Sequence, residues 1–235
     1  MSLILNIETA TQVCSVGLSD GKHLLALRES YEKNIHAAKV TVFCEEVIRE
    51  SGKSMTDINA IAVSKGPGSY TGLRIGISAA KGLCYALDIP LIAVPTLQSM
   101  ALGALRSVED AKEPPATPLY CPMIDARRME VYTALFDQHN NEVRATEALI
   151  VDEESFRKEI KSSVIYYFGD GAEKCRDVLD HENMIYLDDI HPSATSLAVL
   201  ANAKFLSGDF EDLAYFEPYY LKDFVAGKPK VKGLR

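Results

Sequence analysis

The chain has no tryptophan, five cysteines, five histidines and no apolar run long enough to cross a bilayer as a helix. Each shortage excludes something. Cys14, Cys44, Cys84, Cys121 and Cys175 are odd in number, widely spaced and contain no CxxC pair. That argues against a disulfide frame or zinc cluster and predicts reduced, buried thiols in a cytoplasmic protein. His23, His36, His139, His181 and His191 include no HxxxH or HExxH spacing, so the usual helical metal signatures are missing. No GK[ST] follows the central glycines and no serine occupies a GxSxG elbow, which removes the P-loop and that hydrolase motif. Positive charge is also scarce: 25 Lys and Arg stand against 33 Asp and Glu, for a net charge of −8. The one basic run is the tail KPKVKGLR, so the chain is a poor match for a protein that grips nucleic acid by itself. The opening MSLILNIETA has no basic region and is not expected to be a signal peptide.

What is present reads as alternating strands and helices. Residues 3–9 predict a buried strand, CSVGLSDG an alternating strand ending on the Asp20-Gly21 turn, and KHLLALRES a third strand. A helix follows, with Asn34 as expected N-cap and Gly52 as the residue just past its end. Val40, Phe43 and Val47 share one face of it, with Cys44 and Ile48 alongside. Strand 58–64, helix 72–87, strand LIAV and a helix from Thr96 to about Arg106 complete a first half. SVEDAKEPPATP, with three prolines, reads as a linker. After it come two strands in LYCPMIDARRMEVYTALFD, a third in EVRATEALIV, a fourth in VIYYF, a short helix at 171–180, the strand MIYL and a helix from Ser193 to Leu206.

Sliding the chain over itself by about 117 residues sets Ile7 on Ile124, Glu8 on Asp125, Leu18 on Leu135 and Asp20 on Asp137. Both halves then read as strand, acid at the strand end, short turn, second strand. The expected architecture is α/β: a first lobe over 1–106, a linker over 107–118 and a second lobe with a tail over 119–235. Two lobes, each opening with a hairpin, form the layout of the actin/Hsp70/sugar-kinase (ASKHA) fold, in which a nucleotide lies between the lobes. Candidate cleft residues are Glu8, Thr9, Gly66, Gly68, Ser69, Asp125, Arg127, Gly169 and Gly171. Glu8 and Asp125 could position a metal-nucleotide or act as a base, or could simply be acids that close turns. Arg127 could meet a phosphate or a partner carboxylate, or be a solvated hairpin residue.

The segment KGPGSYTGLRIGISAAKG carries the other candidate features. Gly66, Gly68 and Gly72 miss the dinucleotide fingerprint by one residue, and the next strand ends in Pro95-Thr96 where that fold needs an acid. Ser69 or Thr71 could cap the helix. Gly72, Gly76 and Ala80 recur every four residues, with Ala79 and Gly82 near them. Glycine inside a helix costs about 1 kcal/mol relative to alanine, so these small residues predict close approach by something, either the lobe itself or a partner chain.

LILNIETAT, SKGPGSYTGLRIGISAAKGL, MIDARRMEVYTALF and FEPYYLKDF together resemble the TsaB (YeaZ) family, and the resemblance runs end to end. It implies an ASKHA-fold subunit without catalytic activity of its own. The implied partner is TsaD, the metal-bearing enzyme that transfers a threonylcarbamoyl group to the adenosine beside the tRNA anticodon. The P-loop ATPase TsaE joins the assembly, and tRNA is met only through the complex. A homodimer through a helical face is also implied. The expected face comprises His36, Val40, Phe43, Val47, Arg74, Ile75, Gly76, Ala79 and Gly82. TsaD-type enzymes carry an HxxxH pair on the first helix; here His36 is followed by Val40, so no metal site is expected. No cofactor of its own is expected, with ADP or ATP at most weakly held. The rival reading is an active ATPase or kinase using Glu8, Asp125, the 66–69 loop and Gly169-Asp170-Gly171.

Overall fold

The computed structural model describes residues 2–109 and 118–222. Most of the Pro-rich linker and the basic tail lie outside the described residues. The first half runs β1 (Leu3–Glu8), β2 (Cys14–Asp20), β3 (His23–Ser30), α1 (His36–Glu50), β4 (Ala60–Gly66), α2 (Tyr70–Leu87), β5 (Leu91–Pro95) and α3 (Thr96–Glu109). The second runs β6 (Pro118–Asp125), β7 (Glu130–Phe136), β8 (Glu142–Ile150), β9 (Val164–Phe168), β10 (Met184–Tyr186) and α4 (Ala194–Ser207).

The strand orders are β3-β2-β1-β4-β5 and β8-β7-β6-β9-β10. In each sheet the first three strands pair antiparallel and the last two join in parallel. The two sheets therefore have one topology, and the repeat read from the sequence is structural. Together they form the two-lobe ASKHA-like α/β fold.

The helices do not follow the same division. α4 closes the second half but sets Leu197 and Ala201 against Ile4, Ala60, Ala62, Ile92 and Val94 of the first sheet. α3 leaves the first half but packs Leu97, Met100, Ala104 and Val108 against Tyr120, Ile124, Phe136 and Phe168 of the second. The crossing explains the alternation in β2. Cys14, Val16 and Leu18 join the core under α1 and α2. The intervening Ser15, Gly17 and Ser19 are buried too, because α4 lies on them: the Ala194 N–H donates to Ser15 Oγ at 2.9 Å.

Two local expectations fail. α1 starts from Ile35 with no side-chain cap, and Asn34 sits at φ 63°, a left-handed conformation that asparagine tolerates. The helix expected at 171–180 is a single 3-10 turn, Glu173–Cys175, within a chain of turns. The other end of α1 is as read: the Gly52 N–H donates to Arg49 O and that of Lys53 to Ile48 O, a Schellman closure with Gly52 at φ 67°.

Candidate functional site

The turn between β1 and β2 is closed by its own side chains. Glu8 is fully buried at the end of β1. Its Oε1 accepts from the Ala10 N–H at 2.7 Å and from Ser64 Oγ at 2.8 Å, while Oε2 has no partner among the described residues. Burial pushes the Glu8 carboxyl up to about 7, against the bonds from Ala10 and Ser64 that pull it down. The Thr9 N–H donates to Ser64 Oγ at 3.4 Å and the Val13 N–H to Thr11 Oγ1 at 3.3 Å. The N–H donors of Thr9, Ala10 and Val13 are thus bonded within the protein itself.

The glycine segment seals it from the other side. The Ser69 N–H donates to Ala10 O at 2.6 Å, Thr9 Oγ1 donates to Gly72 O at 2.9 Å, and the Gly66 N–H donates to Thr96 Oγ1 at 3.1 Å. Ser69 is the N-cap of α2, accepting from the Gly72 N–H. A Cβ at Gly68 would press into the Ala10 carbonyl, one at Gly72 into the Thr9 carbonyl, and one at Gly76 into the Thr9 hydroxyl. The small-residue row exists so that α2 can lie on the turn after β1. Close approach is met inside the lobe, and Gly76 is not on an exposed face.

The second hairpin brings together Asp125, Arg127, Gly169 and Gly171 in the equivalent places. Gly169 (φ 103°) corresponds to Gly66 (φ 111°), and a Cβ at Gly171 would lie 2.8 Å from Ile124 C. This turn is open. Asp125 is about half exposed, with side-chain exposure 47%; it accepts from the Arg127 N–H at 3.1 Å and pairs with Lys174. The Asp125 N–H donates to Asp170 Oδ1 at 3.1 Å. Of the expected cleft residues, Glu8, Thr9, Gly66 and Gly171 are buried, while Ser69, Asp125 and Arg127 are exposed. Glu8, enclosed on every side, is not placed to act on a bound molecule.

The expected helical face needs a larger correction. His36, Val40, Phe43 and Val47 are buried, the last three in the core over the first sheet, because a helix on a sheet turns its strongest apolar stripe inward. The His36 ring Nε2 lies 3.2 Å from Val13 O, and Val40 packs in the core, so these positions do not fit a metal site. Arg74 stacks 4.1 Å above Tyr70 and donates from Nε to Tyr220 OH at 3.0 Å. Ile75 and Ala79 are half-buried and Gly82 is exposed. Beside them Val42 and Tyr85 are exposed, Tyr85 at 85%. On the outer side of the two helices Val42, Gly82 and Tyr85 are exposed, with Ile75 and Ala79 half-buried between them and the core.

Sequence reading missed the segment that holds Arg74. Residues 211–222 run along α2 as a strap. The Glu211 N–H donates to Leu91 O, Lys81 Nζ donates to the carbonyls of Ala214 and Phe216, and the Tyr219 N–H donates to Lys65 O. Lys222 then pairs with Glu130 of the second lobe. The signal was the aromatic density of FEPYY.

The five cysteines are free and buried, and burial pushes the thiol of Cys14 up to about 11 and that of Cys121 up to about 12. No helix among the described residues is long and apolar enough to cross a membrane.

Comparison with known proteins joins these observations. Residues 31–229 match the family described as "TsaD: tRNA N6-adenosine threonylcarbamoyltransferase". The tRNA threonylcarbamoyladenosine biosynthesis protein TsaB of Escherichia coli (strain K12) is 33% identical over 231 residues, covering 96% of this chain and 96% of that protein. TsaB of Bacillus subtilis (strain 168) is 34% identical over 137 residues, 58% of this chain and 56% of its own length. Among solved structures, YeaZ from Pseudomonas aeruginosa superposes with a TM-score of 0.78 at 24% identity, covering 94% of this chain and 100% of that one. From the full-length identity to the first of these relatives, this chain belongs to the TsaB (YeaZ) family of tRNA threonylcarbamoyladenosine biosynthesis proteins.

Proposed function

We propose that the chain is a non-catalytic subunit that pairs with a TsaD-type transferase, joined by TsaE, for threonylcarbamoyl transfer to the adenosine beside the tRNA anticodon in the cytoplasm. The carrying observation is the closed first turn. A nucleotide between the lobes would need free donors and space at that hairpin, and the donors of Thr9, Ala10 and Val13 are bonded to Ser64, Glu8 and Thr11. With α2 pressed onto the same turn, the chemistry is left to the partner. ADP or ATP is held at most weakly, through the second hairpin alone.

The pairing surface in this reading is the outer face of α1 and α2, where Val42, Ile75, Ala79, Gly82 and Tyr85 offer small and apolar contacts. One face serves both a homodimer and the transferase, so the two compete. The test is sedimentation of the full chain with a purified TsaD-type transferase, alongside reconstituted modification of tRNA. Tyr85→Asp should weaken pairing at least about tenfold, the scale of an anchoring aromatic, with thermal stability unchanged. Pairing at parental affinity would remove this face from the account.

A further inference from the structure

We propose that the tip of the β6–β7 hairpin, Arg127-Arg128, is a contact site for the phosphate backbone of tRNA. Naming tRNA as the source of the phosphate rests on the function proposed above; the anion site itself rests on geometry.

Arg127 and Arg128 are consecutive residues in the left-handed region, at φ 74° and 51°. Few residues other than glycine and asparagine adopt it, and such positions gather at ligand sites. Glu8 pairs with Ser15 across the first hairpin, leaving six residues in its turn, and Asp125 with Val131 across the second, leaving five. At an offset of 117 the positions equivalent to Arg127 and Arg128 are Ala10 and Thr11, and neither has a positive φ. Both are buried, whereas both arginines are exposed. The strained turn is held by three hydrogen bonds: the Arg127 N–H to Asp125 Oδ1, the Ala126 N–H to Glu130 O, and the Glu130 N–H to Arg127 O, each 3.1 Å.

Charge points the same way. The acids flanking the tip already have partners, Asp125 with Lys174 and Glu130 with Lys222. Neither arginine forms an ion pair with another described residue. Two exposed, uncompensated guanidinium groups thus stand next to each other in a chain of net charge −8. Their planar donor forks match phosphate oxygens two at a time. Lys174, by neutralising Asp125, keeps the nearest carboxylate from repelling such a ligand.

The test is fluorescence anisotropy of a labelled unmodified tRNA with the purified full chain across a salt series. Replacing both arginines by glycine keeps the backbone conformation accessible and removes the charge. The double variant R127G/R128G should fold at least as stably as the parent and bind tRNA about tenfold more weakly. Its plot of log affinity against log salt should be shallower by about 1.5, the loss of two phosphate contacts. R127K/R128K should keep most of the salt slope. Equal affinity and slope for parent and double-glycine variant would overturn the proposal. So would competition by a poly-glutamate peptide but not by unlabelled tRNA, which would make the tip a protein contact, or binding of inorganic phosphate without tRNA. Sedimentation with the transferase separates this from the function above: R127G/R128G should pair normally, and failure of the parent to pair would sink that reading alone.

Discussion

The two hairpin turns are copies of one design that have parted company. In the first the acid is enclosed and the donors of Thr9, Ala10 and Val13 are bonded within the protein; in the second the acid is half exposed and two exposed arginines stand at the tip. Strand order and the paired glycines Gly66 and Gly169 are shared. The difference lies in the segment just after each glycine. After β4 comes the 18-residue helix α2, which lies on the first turn; after β9 comes one 3-10 turn, Glu173–Cys175, which leaves the second uncovered. The length of one helix decides which turn can meet a ligand.

The largest effect should come from forcing the closed turn open. Gly68→Val places a side chain against the Ala10 backbone, which cannot move aside, and should cost about 4 kcal/mol or more in denaturant unfolding. That is a large share of typical domain stability. The contrast is Gly82→Ala on the same helix, where a Cβ meets nothing within 4 Å.

Next is pH. Glu8 has a folded-state pKa raised from 4.5 to about 7, so between those values the folded chain holds a proton that the unfolded chain has lost. Its contribution is fully present below about 4.5 and falls away as pH rises through about 7, by roughly 3 kcal/mol. Glu8→Gln mimics the protonated acid and should flatten that part of the profile, leaving the variant more stable than the parent at pH 8. A parental slope in the variant would mean the carboxyl is not buried as described.

Smaller still is the open turn's acid. Asp125→Asn breaks a half-exposed pair with Lys174 and should change stability by no more than about 1 kcal/mol. Gly82→Ala, by contrast, should gain about 0.5–1 kcal/mol, since it removes a helix glycine that approaches nothing in the chain. Equal effects at Glu8 and Asp125 would erase the comparison.

Much of the fold was legible because its signals are local. Asp20-Gly21, the Gly52 helix end and the strand periodicities each lie within a few residues, and the 117-residue offset linked the two hairpins without knowing their pairing. What stayed hidden was non-local. The row Gly72, Gly76, Ala80 announced a close approach but not its partner, which for Gly72 and Gly76 is Thr9, some 60 residues earlier in the chain. Arg74 read as part of a partner-binding face, while its Nε donates to Tyr220, 146 positions on. The apolar stripe of α1 could not say whether it faced a sheet or a partner; burial of Phe43 and Val47 answers that. Nor could periodicity reveal that α3 and α4 each cover the other half's sheet.

The most direct measurement is calorimetric titration of the purified chain with ATP·Mg²⁺, followed by titration with a TsaD-type transferase. The closed first turn predicts little or no nucleotide heat and clear association with the transferase. Tight nucleotide binding, with turnover lost in Glu8→Ala, would contradict it, because the enclosed acid would then be at work on a substrate.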